Sequence, residues 1–152
     1  FSSASTALKP ILGLYNPSNS GKLLSILRAI MSLASGTAGA GNLCWAVMPS
    51  LVTTTAPSGG VGPTNNLSFG AGGTGKFFSD VAMTFTSPIA TILRPIAGPT
   101  TGAAAANANL STVEETAGSI IVPQGGFLFI GALVAGTSPV WFGGIEFEEI
   151  GA

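Results

Sequence analysis

Ser119-Ile120-Ile121-Val122, Pro123-Gln124-Gly125-Gly126, Phe127 to Val134, Ala135-Gly136-Thr137-Ser138-Pro139 and Val140 to Ile150 follow one another at the end of the chain. Three runs rich in Ile, Val and Phe alternate with two clusters of Pro, Gly, Ser and Thr. That is the pattern of β-strands joined by tight connections, since branched and aromatic side chains suit a pleated surface and the small residues suit turns. The spacing predicts three strands in a meander. Within the last run, Glu146 and Glu148 share a face because strand side chains alternate, and Ile145 and Phe147 point the other way.

Working outward, Ile11-Leu12-Gly13-Leu14-Tyr15 reads as a short strand closed by the turn formers Asn16 to Gly21. The apolar residues of Lys22 to Ala34 fit either a helix or a strand covered on both faces. Turn clusters on both sides favour the strand, and the next cluster, Ser35 to Asn42, leads to Leu43-Cys44-Trp45-Ala46-Val47-Met48, predicting an antiparallel hairpin of these two. Lys76 to Thr86 and Ile89 to Arg94 add further strands. Thr53 to Gly75 has little to bury and reads as a long surface excursion. Phe1 to Pro10, rich in Ser, Thr and Ala, reads as an N-terminal arm without the charged start and apolar middle of a secretory signal. About eight short strands and almost no helix imply an all-β fold: an antiparallel β-sandwich, jelly-roll-like, with the arm at 1–10 and one domain over 11–152.

Composition narrows the function. The chain has 152 residues, and only 7% are charged, where about 25% is ordinary. Five basic residues stand against 6 acidic ones for a net charge of -1. Lys9, Lys22, Arg28, Lys76 and Arg94 are scattered, whereas phosphate binding needs several on one face, so no nucleic acid is expected as a partner. With no His in the chain, His-based catalytic triads and His-ligated metals are excluded. Mean hydropathy is +0.57, yet the longest apolar run, Leu23 to Ala34, falls short of the about 20 residues of a spanning helix and contains Ser25, Arg28 and Ser32. No membrane partner is expected. A single Cys, Cys44, cannot form an intramolecular disulfide, and between Leu43 and Trp45 it reads as a small core residue.

Several motifs invite chemistry. Gly70 to Gly75 matches the G-x-G-x-x-G pattern and Gly70 to Lys76 the start of a phosphate-binding loop, but Phe77 stands where such a loop places Ser or Thr, and a strand follows where a helix is required. A flexible connection is the expected role. Glu146 and Glu148 have the arrangement of a calcium or acid-base pair, and also of an ordinary solvated strand face. A glycosidase using Glu114 or Glu115 with Glu146 or Glu148 would hold its acids about 5 to 9.5 Å apart. Trp45, Trp141, Phe127, Phe129, Phe142 and Phe147 fit a sugar-binding platform if exposed and a core if not. Asn66-Leu67-Ser68 and Asn109-Leu110-Ser111 match the glycosylation acceptor pattern, which matters only in a eukaryotic secretory setting. No catalytic residues, cofactor or metal are assigned, and the chain is not expected to be an enzyme. So few charges give little repulsion between copies and suit dense assembly.

Leu14-Tyr15-Asn16-Pro17 with Ser20 to Leu24, then Ile121-Val122-Pro123-Gln124-Gly125-Gly126, Gly136-Thr137-Ser138-Pro139 and Ile145-Glu146-Phe147-Glu148-Glu149, resemble segments of small structural proteins of tailed bacteriophages. Gln124 replaces a second Pro and Phe147 replaces a Trp of that pattern, and Met48 to Asn109 lies outside it. The resemblance implies a capsid decoration, or cement, protein: a homotrimer on the outer virion surface that binds the major capsid protein and stabilises contacts between its subunits. A tail or fibre module that binds cell-surface glycan is the alternative expectation.

Overall fold

A computed structural model describes residues 8–39, 42–48, 72–79, 91–96, 111–134 and 136–152. Among them are eight strands: β1 (Lys9–Tyr15), β2 (Lys22–Thr37), β3 (Leu43–Met48), β4 (Lys76–Ser79), β5 (Thr91–Pro95), β6 (Ser111–Val122), β7 (Phe127–Ala132) and β8 (Thr137–Gly151). They form a five-stranded sheet in the order β4-β1-β7-β3-β5 and a three-stranded sheet in the order β6-β2-β8. Every pairing between them is antiparallel. The all-β sandwich expected from the sequence is therefore the observed architecture, and the chain passes from one sheet to the other between β1 and β2, β2 and β3, β5 and β6, β6 and β7, and β7 and β8. Residues 1–7 of the expected arm lie outside the described residues, and its last two residues, Lys9 and Pro10, belong to β1.

The main core lies between the sheets. Leu24, Ile26, Ala29 and Met31 from β2 and Ile120, Val122 and Ile145 from its neighbours meet Leu14, Trp45, Leu128 and Ile130 of the larger sheet. Each side chain of this size removed from water contributes about 1.5–3 kcal/mol. A second cluster, Tyr15, Ala46, Met48, Phe78, Phe127 and Phe129, covers the opposite face of the five-stranded sheet. Its rings meet edge-on or tilted, with centroids 6.1 Å apart for Phe78 and Phe127 and 6.0 Å for Phe127 and Phe129. That sheet is buried on both faces, which explains why Phe127 to Ile130 is an unbroken apolar run rather than an alternating one.

Lys22 to Ala34 is a strand, as its flanking turns suggested, and it is the central strand of its sheet. Two expected pairings are corrected. β2 and β3 do not form a hairpin: β2 pairs with β6 and β8, whereas β3 pairs with β5 and β7. β6, β7 and β8 do not form a meander, because β7 lies in the other sheet from its two neighbours in sequence. The physical reason is the same in both cases. Facing sheets stand about 10 Å apart, a distance that four extended residues cover at about 3.3 Å each, so a short turn serves a crossing as well as a hairpin. Apolar strands then bury their side chains by facing each other across the core.

β2 is not regular throughout. Its pairing shifts between Ile26 and Arg28, where β6 jumps from Ile120 to Glu115. Ala117 and Gly118 take left-handed backbone angles there, φ 47° and 78°, and the buried Thr116 hydroxyl donates to the Ile26 carbonyl. The bulge sets Leu24 and Ile26 on one side of it, and Ala29 and Met31 on the other, all towards the core.

Candidate functional site

The chain has only 6 carboxylate side chains, and its glutamates lie on β6 and β8, on both faces of the three-stranded sheet. Glu114 and Glu115 are adjacent on β6, so they point to opposite sides. Glu114 turns inward, with 14% of its side chain exposed, and bridges the sheets by accepting from Arg94 of β5 at 2.7 Å. It also accepts from the indole N–H of the fully buried Trp45 at 3.0 Å. Trp45 thus has its polar atom satisfied, the usual condition for burying an indole.

Glu115 turns outward, and Arg28 of β2 lies between it and Glu146 of β8. The guanidinium donates from Nε and Nη2 to the two Glu146 oxygens at 2.8 Å each and approaches Glu115 at 4.0 Å. Hydrogen bonding to Glu146, and then its charge, raise the Arg28 pKa above the ordinary arginine value. Of the expected solvated pair, Glu148 is exposed while Glu146 is half-buried in this bond. Glu114 and Glu146 lie on opposite faces of the sheet, and Arg28 stands between Glu115 and Glu146.

Glu149 points inward at the end of the sheet. It accepts from the backbone N–H and the hydroxyl of Thr74 and from the N–H of Gly75, the last at 3.3 Å. These amides belong to the glycine-rich stretch that resembled a phosphate loop. Within the described part of that stretch, the chain's own carboxylate takes the place of a phosphate, and the strand β4 follows, as expected. Gly75 is required by close approach, since a Cβ there would lie 2.9 Å from the Phe147 ring.

The aromatic residues do not form one platform. Trp45, Phe127 and Phe129 are buried, and Phe147 packs on Phe77 with centroids 5.8 Å apart. Trp141 is half-buried in a recess of about 170 Å³ with Lys9, Pro10, Ile11 and Pro139. Phe142 alone of the six stands clear of the fold, 76% exposed on the outer face of the three-stranded sheet.

Cys44 is buried and its thiol donates to the Gly131 carbonyl at 3.5 Å. Burial pushes it up to about 11, which that hydrogen bond only partly offsets. Its role is the core residue expected from its neighbours. No cluster of three or more metal-ligating side chains occurs among the described residues, and no helix among them is long and apolar enough to cross a membrane. Asn66, Asn109 and Gly70 lie outside the described residues.

Asn16 was expected only as a turn former, yet it joins two of the motifs on which the bacteriophage resemblance rests. It is fully buried. Its Nδ2 donates to the carbonyls of Lys22 at 2.8 Å and Val122 at 3.0 Å, and its Oδ1 accepts from the Ser20 hydroxyl at 2.7 Å. Its backbone exchanges hydrogen bonds with Gly126 at 3.0 Å and Gly125 at 2.8 Å. Tyr15-Asn16-Pro17 and Val122 to Gly126 therefore form one corner at the end of the sandwich. No protein-family model, curated protein or solved structure matches the chain.

Proposed function

We propose that this protein is a non-enzymatic structural component of a bacteriophage particle, a capsid decoration protein that self-associates, as a homotrimer, and clamps neighbouring major capsid subunits on the virion surface. The observation that carries this reading is the outer face of the three-stranded sheet, which leaves Ile30, Val113, Val140 and Phe142 in solvent on a chain with 7% charged residues. Contiguous apolar surface of this kind marks contact with another macromolecule. The corner built by Asn16, which unites two segments of the resemblance, supports the same reading. The mechanism is adhesion: each copy spreads load over several capsid subunits, and copies linked to one another rebind faster than they leave.

The test is co-sedimentation of the purified protein with capsid shells that lack it. Saturable binding at a fixed ratio to the major capsid protein is expected; shells that sediment without it at micromolar concentration overturn the reading. The glycan-binding alternative rests on the recess beside Trp141, whose volume is below the about 300 Å³ at which ligand pockets begin. Titration with cell-surface oligosaccharides, with Trp141→Ala as the control, separates the two.

A further inference from the structure

Strand register fixes which strand ends lie together. β1 runs from Lys9, paired with Ala132, to Tyr15, paired with Phe127. β2 then runs back from Lys22, paired with Gly151, to Thr37, paired with Thr137. The sandwich therefore has two poles. At one, Lys9 and Pro10 share a recess with Gly39, Gly136 and Trp141. At the other, Asn16 donates to the carbonyls of Lys22 and Val122, and the Ala152 N–H donates to the Gly21 carbonyl at 3.2 Å. The chain enters β1 at the first pole and leaves β8 at the second. The 15 residues of β8 put about 50 Å between them, at about 3.3 Å each.

We propose that the sandwich is a directional tension clamp: it resists force drawn along its strands, between the chain before Lys9 and the chain after Gly151, and yields to force that parts two strands from one end. Hydrogen bonds of an antiparallel pair lie across the strands. A pull along the strands loads a whole ladder in shear at once, whereas a pull that opens one end breaks its bonds one after another. β1 is held on both sides, by β7 along Lys9 to Tyr15 and by β4 along Leu12 to Tyr15. β8 is held by the central strand β2 from Thr137 to Gly151. Neither strand slides without shearing its ladders.

Two polar ties at the exit pole lie in the path of the load. Asn16 extends the ladder of β1, donating its N–H to Gly126 and accepting at its carbonyl from Gly125. Its side chain also grips the ends of β2 and β6, so drawing β1 towards the entry pole pulls against those strands as well. Glu149 of β8 accepts from the N–H and hydroxyl of Thr74 and from the N–H of Gly75. The next residue, Lys76, is paired with Tyr15 of β1. Force thus passes between β1 and β8 through β4 and Glu149, in addition to the apolar core between the sheets.

This directionality belongs to the single chain and goes beyond the capsid reading, which it does not require. Optical-trap unfolding of the full chain through two pairs of handles tests it. Lys9→Cys with Ala152→Cys pulls along the strands, and Asn19→Cys with Ala152→Cys opens the β2–β8 ladder at its Lys22–Gly151 end. All three sites are exposed, and the buried Cys44 takes no handle. Both variants are expected to keep the wild-type thermal midpoint; should Lys9→Cys lose it, a handle fused ahead of Phe1 takes its place. The rupture force along the strands is expected to exceed the other by about twofold or more at one loading rate, since forced unfolding follows the unfolding barrier met in each direction. Equal forces, or a higher force when the ladder is opened from its end, overturn the inference. Shell co-sedimentation of the same protein reads the capsid proposal separately: directional strength without shell binding removes that proposal and supports this one.

Discussion

At Asn16 one side chain satisfies two backbone carbonyls from different strands, inside a site that water does not reach. Replacing it by Asp keeps the shape and removes the donors, so two carbonyls and a carboxylate face one another. A loss of about 3 kcal/mol or more is expected for Asn16→Asp, and about 2–3 for Asn16→Ala, from urea denaturation midpoints. Cys44 makes a prediction about pH. Its thiol ionises near 11 when folded and near its ordinary 9.0 when unfolded. The unfolded chain therefore loses the proton first, and stability is fully present below about pH 9 and declines as pH rises towards about 11. Pulse labelling with a thiol reagent at pH 8 is expected to modify the unfolded protein and spare the native one; rapid labelling of native protein contradicts the burial.

Between elements, two carboxylates hold the sheets together from the smaller one. Glu114 ties β6 to β3 and β5, and Glu149 ties β8 to the segment before β4. Glu114→Ala leaves the Trp45 indole N–H buried without an acceptor and Arg94 without its partner, a loss of about 2–4 kcal/mol. Glu114→Gln keeps one acceptor oxygen, and about 1 kcal/mol is expected; an equal loss for both variants in thermal denaturation contradicts the Trp45 hydrogen bond. The strands themselves were legible because their residues carry the signal locally: β-branched and aromatic runs between Gly and Pro clusters placed β1, β3, β7 and β8 to within a few residues. Pairing was not legible. Leu24 of β2 and Leu128 of β7 are equally apolar, and nothing local says whether two such strands lie side by side or face to face.

For the whole molecule, the low charge content bears on association. A contact centred on Phe142, Val113 and Ile30, which carry no charge, owes little to long-range electrostatics. The mass of the assembled protein is expected to change little between 0.05 and about 1 M salt, where screening lengths fall several-fold; dissociation by salt alone, read by light scattering, contradicts an apolar contact. Removing residues 1–7 is expected to lower shell binding more than it lowers the melting temperature, as an arm that reaches a neighbour would require. Of the candidate site, the sequence identified the acids but not their uses. Glu146, Glu148 and Glu149 are near-neighbours in sequence, yet one holds Arg28, one faces solvent and one closes a loop of the opposite sheet.

Residue types by themselves determined β1, β3, β7 and β8, the absence of His chemistry, the scarcity of charge and the core role of Cys44, because each follows from local pattern or from a count. Only the tertiary structure decided which strands share a sheet, that Glu114 and Glu149 are internal ties, that Asn16 is a buried corner, and that Phe142 stands exposed on the outer face of the smaller sheet. Those facts depend on which of two faces is covered, and an alternating strand encodes both faces without saying what lies against either.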